Sequence, residues 1–66
     1  MRDLVTDTEP YVGMYEEEAI ALARELNHRC RVMIRDGKHF AGTMDAGPDR
    51  VNFEVIEGRV VRAWVG

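Results

Sequence analysis

The apolar positions between residues 14 and 26 recur three and four residues apart, which is the spacing of an amphipathic helix. The predicted core-facing positions are Tyr15, Ala19, Leu22, Ala23 and Leu26. Glutamates at 16–18 fill the first turn, where acidic side chains suit the positive end of the helix dipole. Asn27 is the predicted stop. Gly13 or Met14 is the predicted N-cap, although neither has a side chain suited to capping.

Three later segments have the pattern of β-strands. In residues 29–35 the chain alternates, with Cys30, Val32 and Ile34 on one face and Arg31, Met33 and Arg35 on the other. In residues 50–56 the predicted core face carries Val51, Phe53 and Val55. Glu57-Gly58 then turns the chain into a last strand, residues 59–65.

The register of the last hairpin depends on the length of its turn. A two-residue turn would pair Val55 with Val60 and would place Arg62 and Trp64 on the core face. A three-residue turn with Gly58 left-handed brings Val61, Ala63 and Val65 beside Val51, Phe53 and Val55. The longer turn is predicted, because it buries apolar residues without burying Arg62. Trp64 then faces outward, on the same side as Asn52.

These elements predict an α+β fold with one helix packed on a small mixed β-sheet. Asp36-Gly37 marks a turn or the start of a loop, and residues 38–49 are predicted to be irregular, because they contain Gly42, Gly47 and Pro48. The first two strands would be parallel, with the long exposed loop as their crossover. Residues 1–10 are predicted to be a flexible N-terminal arm and 11–66 a single domain. Leu4 and Val5 are the residues that would pin the arm.

Composition narrows the possible functions. The chain has 66 residues and a formal net charge of −3 with interspersed signs, which argues against a nucleic-acid partner. No segment is apolar enough for a membrane span, and no signal peptide is recognised. Cys30 is the sole cysteine, so no internal disulfide forms; a reducing compartment, the cytoplasm, is slightly favoured.

Chemistry-bearing residues are few. His28, Cys30 and His39 have the wrong spacing for a closed zinc site and lack an evident fourth ligand, so no metal is predicted. The sequence suggests no Ser–His–Asp or Cys–His constellation, and a domain of this size offers only a shallow pocket. We therefore expect neither a cofactor nor an enzymatic activity.

The segment 42–52 is the most informative stretch for function. It reads as an exposed loop that opens into a strand, with the large apolar side chain of Met44 between polar neighbours. Such a residue is either incidental or suited to a pocket on another protein. Arg50 and Asn52 lie two residues apart on one strand face, from which they can reach back and hold the loop in one shape.

This stretch resembles the reactive-site loop of the potato inhibitor I family of serine-protease inhibitors. The matching motifs are Thr43-Met44-Asp45 followed after three residues by Asp49-Arg50-Val51, then Val12-Gly13, Glu18-Ala19 and Val65-Gly66. Arg50-Val51-Asn52 is more similar to a related elastase-inhibitor-like group of small bacterial and fungal inhibitors. The resemblance covers roughly residues 11–66. Many fungal members carry a cysteine pair, and this chain departs from them.

The resemblance implies an inhibitor that inserts an exposed, rigid loop into a serine protease as a substrate would. The loop residues would be Gly42, Thr43, Met44, Asp45, Ala46 and Gly47. Met44 would enter the primary specificity pocket, and Met44–Asp45 would be the bond presented for cleavage. Thr43 and Asp45 would turn inward toward the supporting side chains.

The residues that would support the loop are Arg50, Asn52, Trp64 and Gly66. Arg50 matches one family support and would pair with Asp45. Asn52 replaces a second arginine of the plant inhibitors, and Trp64 stands where another basic support would sit. Gly66 matches the terminal glycine that packs under the loop.

The expected partner is a serine protease with an apolar primary pocket, of chymotrypsin, subtilisin or elastase type, since methionine does not suit the acidic pocket of trypsin. Two glycines loosen the loop, and looseness lowers affinity. This favours the alternative, a non-inhibitory protein-interaction module of the same fold. A third hypothesis is a stable homodimer through an exposed apolar strip formed by Ile56, Val60 and Trp64; otherwise the chain is expected to be a monomer or a weak dimer.

Overall fold

The structure is a computed structural model, and it describes residues 3–40 and 47–66. Its elements are a 3₁₀ helix (Glu9–Tyr11), the helix α1 (Glu16–Glu25) and four strands, β1 (Arg29–Arg35), β2 (Lys38–His39), β3 (Arg50–Ile56) and β4 (Arg59–Val65). The strands form one sheet in the order β2-β1-β3-β4, with β1 and β3 parallel and the other two pairs antiparallel. The predicted α+β fold, with one helix and a small mixed sheet, is confirmed.

The helix is shorter than predicted and is capped by a different residue. Its N-cap is Tyr15, not Gly13 or Met14, and the Tyr15 backbone N–H donates to the Glu18 carboxylate at 3.1 Å. The prediction that Tyr15 and Leu26 face the core is wrong, because both side chains are exposed. In the described part of the chain, no helix is long and apolar enough to cross a membrane.

The predicted helix stop is correct. Asn27 has φ 58°, and its N–H donates to the Arg24 carbonyl. The next N–H, that of His28, donates to the Ala23 carbonyl at 2.8 Å. This pair of bonds is the Schellman arrangement, which satisfies carbonyls that the end of a helix leaves without partners.

The core lies between α1 and one face of the sheet. Its buried side chains are Val5, Tyr11, Ala19, Ala23, Val51, Phe53, Val55 and Val60. The rings of Tyr11 and Phe53 lie 5.2 Å apart, and the Tyr11 hydroxyl lies 3.0 Å from His28 Nδ1, which satisfies both polar groups inside the core. Burial raises the pKa of the Tyr11 phenol above its ordinary value of 10.0, and the negative charge of an ionised Cys30 adds to the rise.

A β-bulge in β1 changes the predicted alternation. Cys30 pairs with Val51 and Val32 with Phe53, but Ile34 pairs with Glu54, so Met33 is an extra residue. Ile34 therefore does not share a face with Cys30 and Val32, and it lies outside the core cluster. Arg35 moves to the helix side, where its guanidinium bonds to the Glu16 carboxylate at 2.9 Å. The predicted strand is correct, but the assignment of its last residues to faces is wrong.

The hairpin of β3 and β4 combines parts of both registers considered above. Its turn has two residues, Glu57 and Gly58, both with positive φ, and Val55 pairs with Val60. Val61 is then an extra residue, after which Ala63 pairs with Phe53 as predicted.

The burial of β4 also differs from the prediction. Val65 pairs with Val51 as expected, but Val61 and Val65 are 45% and 44% exposed, so neither is a core residue. Val60 is buried instead, which removes it from the apolar strip predicted for a homodimer.

Two predictions concern the remaining segments. Lys38–His39 forms the short strand β2 against Ile34 and Arg35, so residues 38–49 are not irregular throughout. The flexibility predicted for the arm 1–10 is a matter of motion and stays a prediction. In the structure Val5 is buried and its N–H donates to the Pro48 carbonyl at 2.8 Å, whereas Leu4 is exposed.

Candidate functional site

Half of the predicted site can be located in the structure. Gly42, Thr43, Met44, Asp45 and Ala46 lie outside the described residues. Gly47 and the four predicted supports, Arg50, Asn52, Trp64 and Gly66, are described. They lie at the start of β3 and the end of β4, where the two strands are antiparallel neighbours, so the fold brings all of them together.

Arg50 connects Gly47, which lies just before β3, to Gly66, which follows β4. Its side chain is only 7% exposed, and its Nε donates to the Gly66 carbonyl at 2.6 Å. The backbone N–H of Arg50 donates to the Gly47 carbonyl, and the Gly66 N–H donates to the Arg50 carbonyl. A Cβ at position 47 would lie 3.0 Å from the guanidinium, so glycine at this position permits the close approach.

Asn52 is held by two partners. Its side chain is 1% exposed, its Oδ1 accepts a bond from Arg31 Nε at 2.5 Å, and its Nδ2 donates to the Trp64 carbonyl at 3.3 Å. The adjacent Gly66 has φ 149°, and a Cβ there would be 3.4 Å from Asn52 Nδ2. The Asn52 amide thus ties β1 to the end of β4, and Arg31 supplies a guanidinium beside it.

Asp49 anchors the start of β3 from the other side. Its carboxylate makes a bidentate pair with the guanidinium of Arg29 at 2.8 and 2.6 Å, and its carbonyl accepts a bond from the Arg29 backbone N–H. Bidentate arginine–carboxylate pairs fix orientation as well as contributing energy. Residues 47–50 are therefore attached to β1 and to the ends of the chain by backbone and side-chain bonds.

Trp64 faces the side of the sheet predicted for it. It pairs with Asn52 in the β3–β4 ladder, and it is partly buried. The Arg62 guanidinium lies 4.6 Å from the centroid of the indole ring and 3.2 Å from the Glu54 carboxylate. The indole is thus covered by a cation, a stable arrangement for an aromatic ring on a sheet surface.

Sequence reasoning gave no role in this site to three residues, Arg29, Arg31 and Asp49, although Asp49 lies in one of the matching motifs. Arg29 pairs with Arg50 and Arg31 with Asn52 in the parallel β1–β3 ladder, so all four side chains stand on the sheet face opposite α1. The signal was present, because Arg29 and Arg31 have the same two-residue spacing as Arg50 and Asn52. Aligning the two pairs would have required the register of β1 against β3.

Comparison with protein-family models, curated proteins and solved structures found no match. Among the described residues, no group of three histidine, cysteine or carboxylate side chains is arranged to hold a metal ion. The described part of the site is a network of bonds that holds a segment of backbone in place.

Proposed function

We propose that this protein inhibits serine proteases with an apolar primary pocket, by presenting residues 42–47 as a substrate-like loop with Met44 as the specificity residue. The observation that carries the proposal is the buried guanidinium of Arg50. It packs against Gly47, the last residue of the proposed loop, and it donates to the carbonyl of Gly66. Burying a guanidinium costs desolvation free energy. Its presence here is therefore consistent with a role in fixing the position of the backbone.

The network would act by preorganisation. A protease binds an extended segment as an added strand, and ordering a mobile segment costs about 0.5–1.5 kcal/mol per side chain. The bonds of Gly47, Asp49 and Arg50 would already order the C-terminal end of the proposed loop in the free protein, so that part of the cost would not arise on binding. The same bonds would keep a nicked chain end in place, so that the broken peptide bond can be rejoined.

The distance between the two ends of the connection supports the proposed crossover. Phe40 is bonded to Met33 of β1, and Asp49 is bonded to Arg29 at the start of the same strand. These two ends lie four residues apart along β1 and two strand spacings apart across the sheet, a separation of roughly 15 Å. The nine peptide units from Phe40 to Asp49 span up to roughly 30 Å. The connection has length to spare, which supports a loop that projects between two parallel strands.

β3 has no second arginine, and Arg31 on the neighbouring strand β1 would supply a guanidinium in its place. The family resemblance places an arginine where this chain has Asn52, and the neighbouring strand contributes Arg31 to the Asn52 carbonyl oxygen. Two guanidinium groups, those of Arg31 and Arg50, therefore stand on the sheet face opposite α1. In the proposed mechanism they hold the inward-turned Asp45 carboxylate while Met44 occupies the protease pocket.

The test is a titration of the protein against subtilisin, chymotrypsin, pancreatic elastase and trypsin, with residual activity followed over hours. We expect lasting inhibition of the first three and none of trypsin. Met44→Lys should reverse this preference, because a lysine suits the acidic trypsin pocket. Ile56→Lys is the matched control: it adds the same charge at an exposed apolar site on β3, and it should change nothing. Rapid cleavage at Met44–Asp45, or no effect on any protease, would refute inhibition.

The second candidate is a non-inhibitory interaction module. The exposed apolar side chains of Val61 and Val65 favour it, because β4 lies at one edge of the described sheet and edge strands pair readily with other chains. This candidate predicts that Met44→Lys has no effect on any protease, whereas a charge at position 61 or 65 abolishes partner binding. Met44→Lys and a charged substitution at position 61 or 65 therefore separate the candidates.

A further inference from the structure

The outer edge of β4 is covered along its first part and open along its second. The backbone N–H of Val60 donates to the Met14 carbonyl at 2.8 Å, and the Val60 carbonyl accepts the Gly13 N–H at 2.8 Å. The Gly58 carbonyl, in the turn before β4, likewise accepts the Glu16 N–H. Beyond Val60, no described segment of the chain bonds to the outer edge of β4.

The open part of the edge presents four backbone groups that point away from β3. The Gly66 N–H donates to the Arg50 carbonyl at 3.1 Å, so these two residues form a hydrogen-bonded pair of the antiparallel ladder. Bonded pairs alternate with non-bonded pairs, so Trp64 is a bonded position and its two neighbours are not. Ala63 and Val65 therefore each direct an N–H and a carbonyl toward the outer edge of the sheet.

The side chains along this stretch do not shield the edge. Proteins usually protect edge strands with charged side chains, with proline or with a covering segment. Residues 63–65 contain neither a charge nor a proline, and Val65 is 44% exposed. The guanidinium of the preceding Arg62 lies 3.2 Å from the Glu54 carboxylate, so it already has an acidic partner. An added strand can therefore pair here without burying an unpaired charge.

We infer that this edge pairs with the same edge of a second copy of the chain, antiparallel and about a two-fold axis at Trp64. In this register Ala63 of each copy lies opposite Val65 of the other. Each such pair exchanges two bonds, so all four outward groups of each copy are satisfied by four bonds in total. An axis at Ala63 would give only two regular bonds, because Val65 would then lie opposite the bulged Val61.

The length of β4 matches the length of the open edge. The segment at Gly13 already occupies the edge beside Val60, so an incoming strand has to end before it reaches that segment. β4 ends at Val65, and the residue that follows, a glycine, lies opposite Arg62 in the inferred register. A second β4 therefore stops short of the covered part. Arg62 also faces no charged residue across the axis, so no like charges meet.

The side chains that meet across the axis are complementary. Trp64 lies opposite its own copy at a non-bonded position of the new ladder, where Cα atoms approach to about 4.5 Å and the two indoles can pack together. On the other face Val65 lies beside the small side chain of Ala63. Because only three residues of each strand pair, the interface is smaller than the roughly 1,200 Å² of stable complexes, and we expect a Kd of roughly 0.1–1 mM.

This inference goes beyond protease inhibition, which needs a single copy of the chain. It names the occupant of the edge that the interaction-module candidate uses. The experiment is sedimentation equilibrium of the wild type with a ¹⁵N NMR dilution series from about 0.05 to about 2 mM, which brackets the expected Kd. We expect the mass to rise from 7.6 kDa toward twice that value, with amide shifts centred on residues 63–65. In a mixture of ¹³C-labelled and unlabelled protein, a filtered NOE between the two Trp64 Hα atoms identifies the register.

Val65→Pro is the test variant, because it removes an N–H that faces outward and therefore costs no bond to β3. It should weaken dimerisation by at least about tenfold, since each dimer loses two bonds, while its circular dichroism spectrum stays that of the wild type. Val65→Thr is the matched control: it keeps the N–H and the branched side chain, and its Kd should stay within about threefold of the wild type. Met44→Lys leaves β4 unchanged and should dimerise normally, so loss of inhibition and loss of dimerisation are distinguishable.

A mass that stays at one chain over the whole range would overturn the inference. So would a dimer that persists in Val65→Pro, because its interface would then lie elsewhere. Should Val65→Pro not fold, the Trp64 NOE of the wild type decides alone, and its absence from a sample of doubled mass counts against the register. Amide shifts of Ala63 and Val65 that appear only on addition of a peptide of alternating valine and threonine would assign the edge to a foreign strand instead.

Discussion

Replacing Arg50 by methionine isolates the contribution of its guanidinium, since methionine keeps much of the unbranched aliphatic stem. The wild-type side chain is 7% exposed and donates to the Gly66 carbonyl at 2.6 Å. The substitution removes this bond and leaves that carbonyl without its charged donor. It also removes the guanidinium that packs against Gly47, so the contacts of Arg50 with Gly47 and with Gly66 are both lost.

The expected loss can be worked from these contacts. A hydrogen bond to a charged group contributes about 1.5–3 kcal/mol to stability. Removing a buried charge returns part of its desolvation cost, so we expect a net loss of about 2 kcal/mol from Arg50→Met. In a domain of this size each kcal/mol changes Tm by about 4–8 °C, so Tm should fall by roughly 8–16 °C. This is a large part of the stability available to a small domain.

The assay is urea denaturation followed by circular dichroism, with Arg62→Met as the matched control. Arg62 lies on the same sheet face, but it is 60% exposed and its partner Glu54 is 3.2 Å away. An ion pair of this exposure contributes between 0 and about 1 kcal/mol, so its loss in the control should cost no more than about half as much. Equal losses in Arg50→Met and Arg62→Met would refute the idea that Arg50 is a structural link.

Three further predictions test other parts of the structure. Burial raises the pKa of the Tyr11 phenol, so the contribution of Tyr11 to the free energy of unfolding should be complete below about pH 10 and should be lost as the pH rises through the raised folded pKa. Urea denaturation of Tyr11→Phe should show no such loss of stability. An equal loss in this variant at alkaline pH would contradict the prediction. Phe53→Ala should lose about 3–5 kcal/mol in the same assay, because Phe53 is fully buried against Tyr11; a loss under 1 kcal/mol would mean that the core is placed wrongly. Glu57→Asn should raise Tm by a few degrees, since asparagine tolerates the φ of 49° at this turn position better than glutamate does; a lower Tm would count against the two-residue turn.

Local signals in the sequence predicted the elements well. The spacing of Ala19, Leu22 and Ala23 placed the helix, and Asn27 placed its end, because an asparagine tolerates the left-handed conformation that a Schellman stop requires. The alternation in β3 placed Val51 and Phe53 in the core. These features depend on residues close in sequence, and the local pattern is sufficient for them.

The site was harder to predict, because its contacts join residues distant in sequence. Arg31 meets Asn52 across 21 positions, and Arg29 meets Asp49 across 20. Neither pair follows from the pattern within one strand, since each depends on the register of β1 against β3. Position 50 was identified by its motif, whereas its bond to Gly66 depends on where β4 ends relative to β3.

The two β-bulges explain the errors in the predicted strands. They also explain how the arginines are distributed between the two faces of the sheet. Without the extra Met33, Arg35 would stand in line with Arg29 and Arg31 on the sheet face opposite α1. With it, Arg35 crosses to the helix side and pairs with Glu16. A third arginine in that column would face the repulsion that like charges exert on one sheet face.

The bulge in β4 has the corresponding effect. A two-residue turn with no bulge would place Arg62 and Trp64 in the core. The extra Val61 returns both to the face opposite α1, while Val60 stays buried. Uninterrupted alternation would therefore have misplaced an arginine in each strand. One extra residue moves every later side chain of the strand to the other face of the sheet. A single bulge in each strand is therefore sufficient to keep both the core and the arginine network.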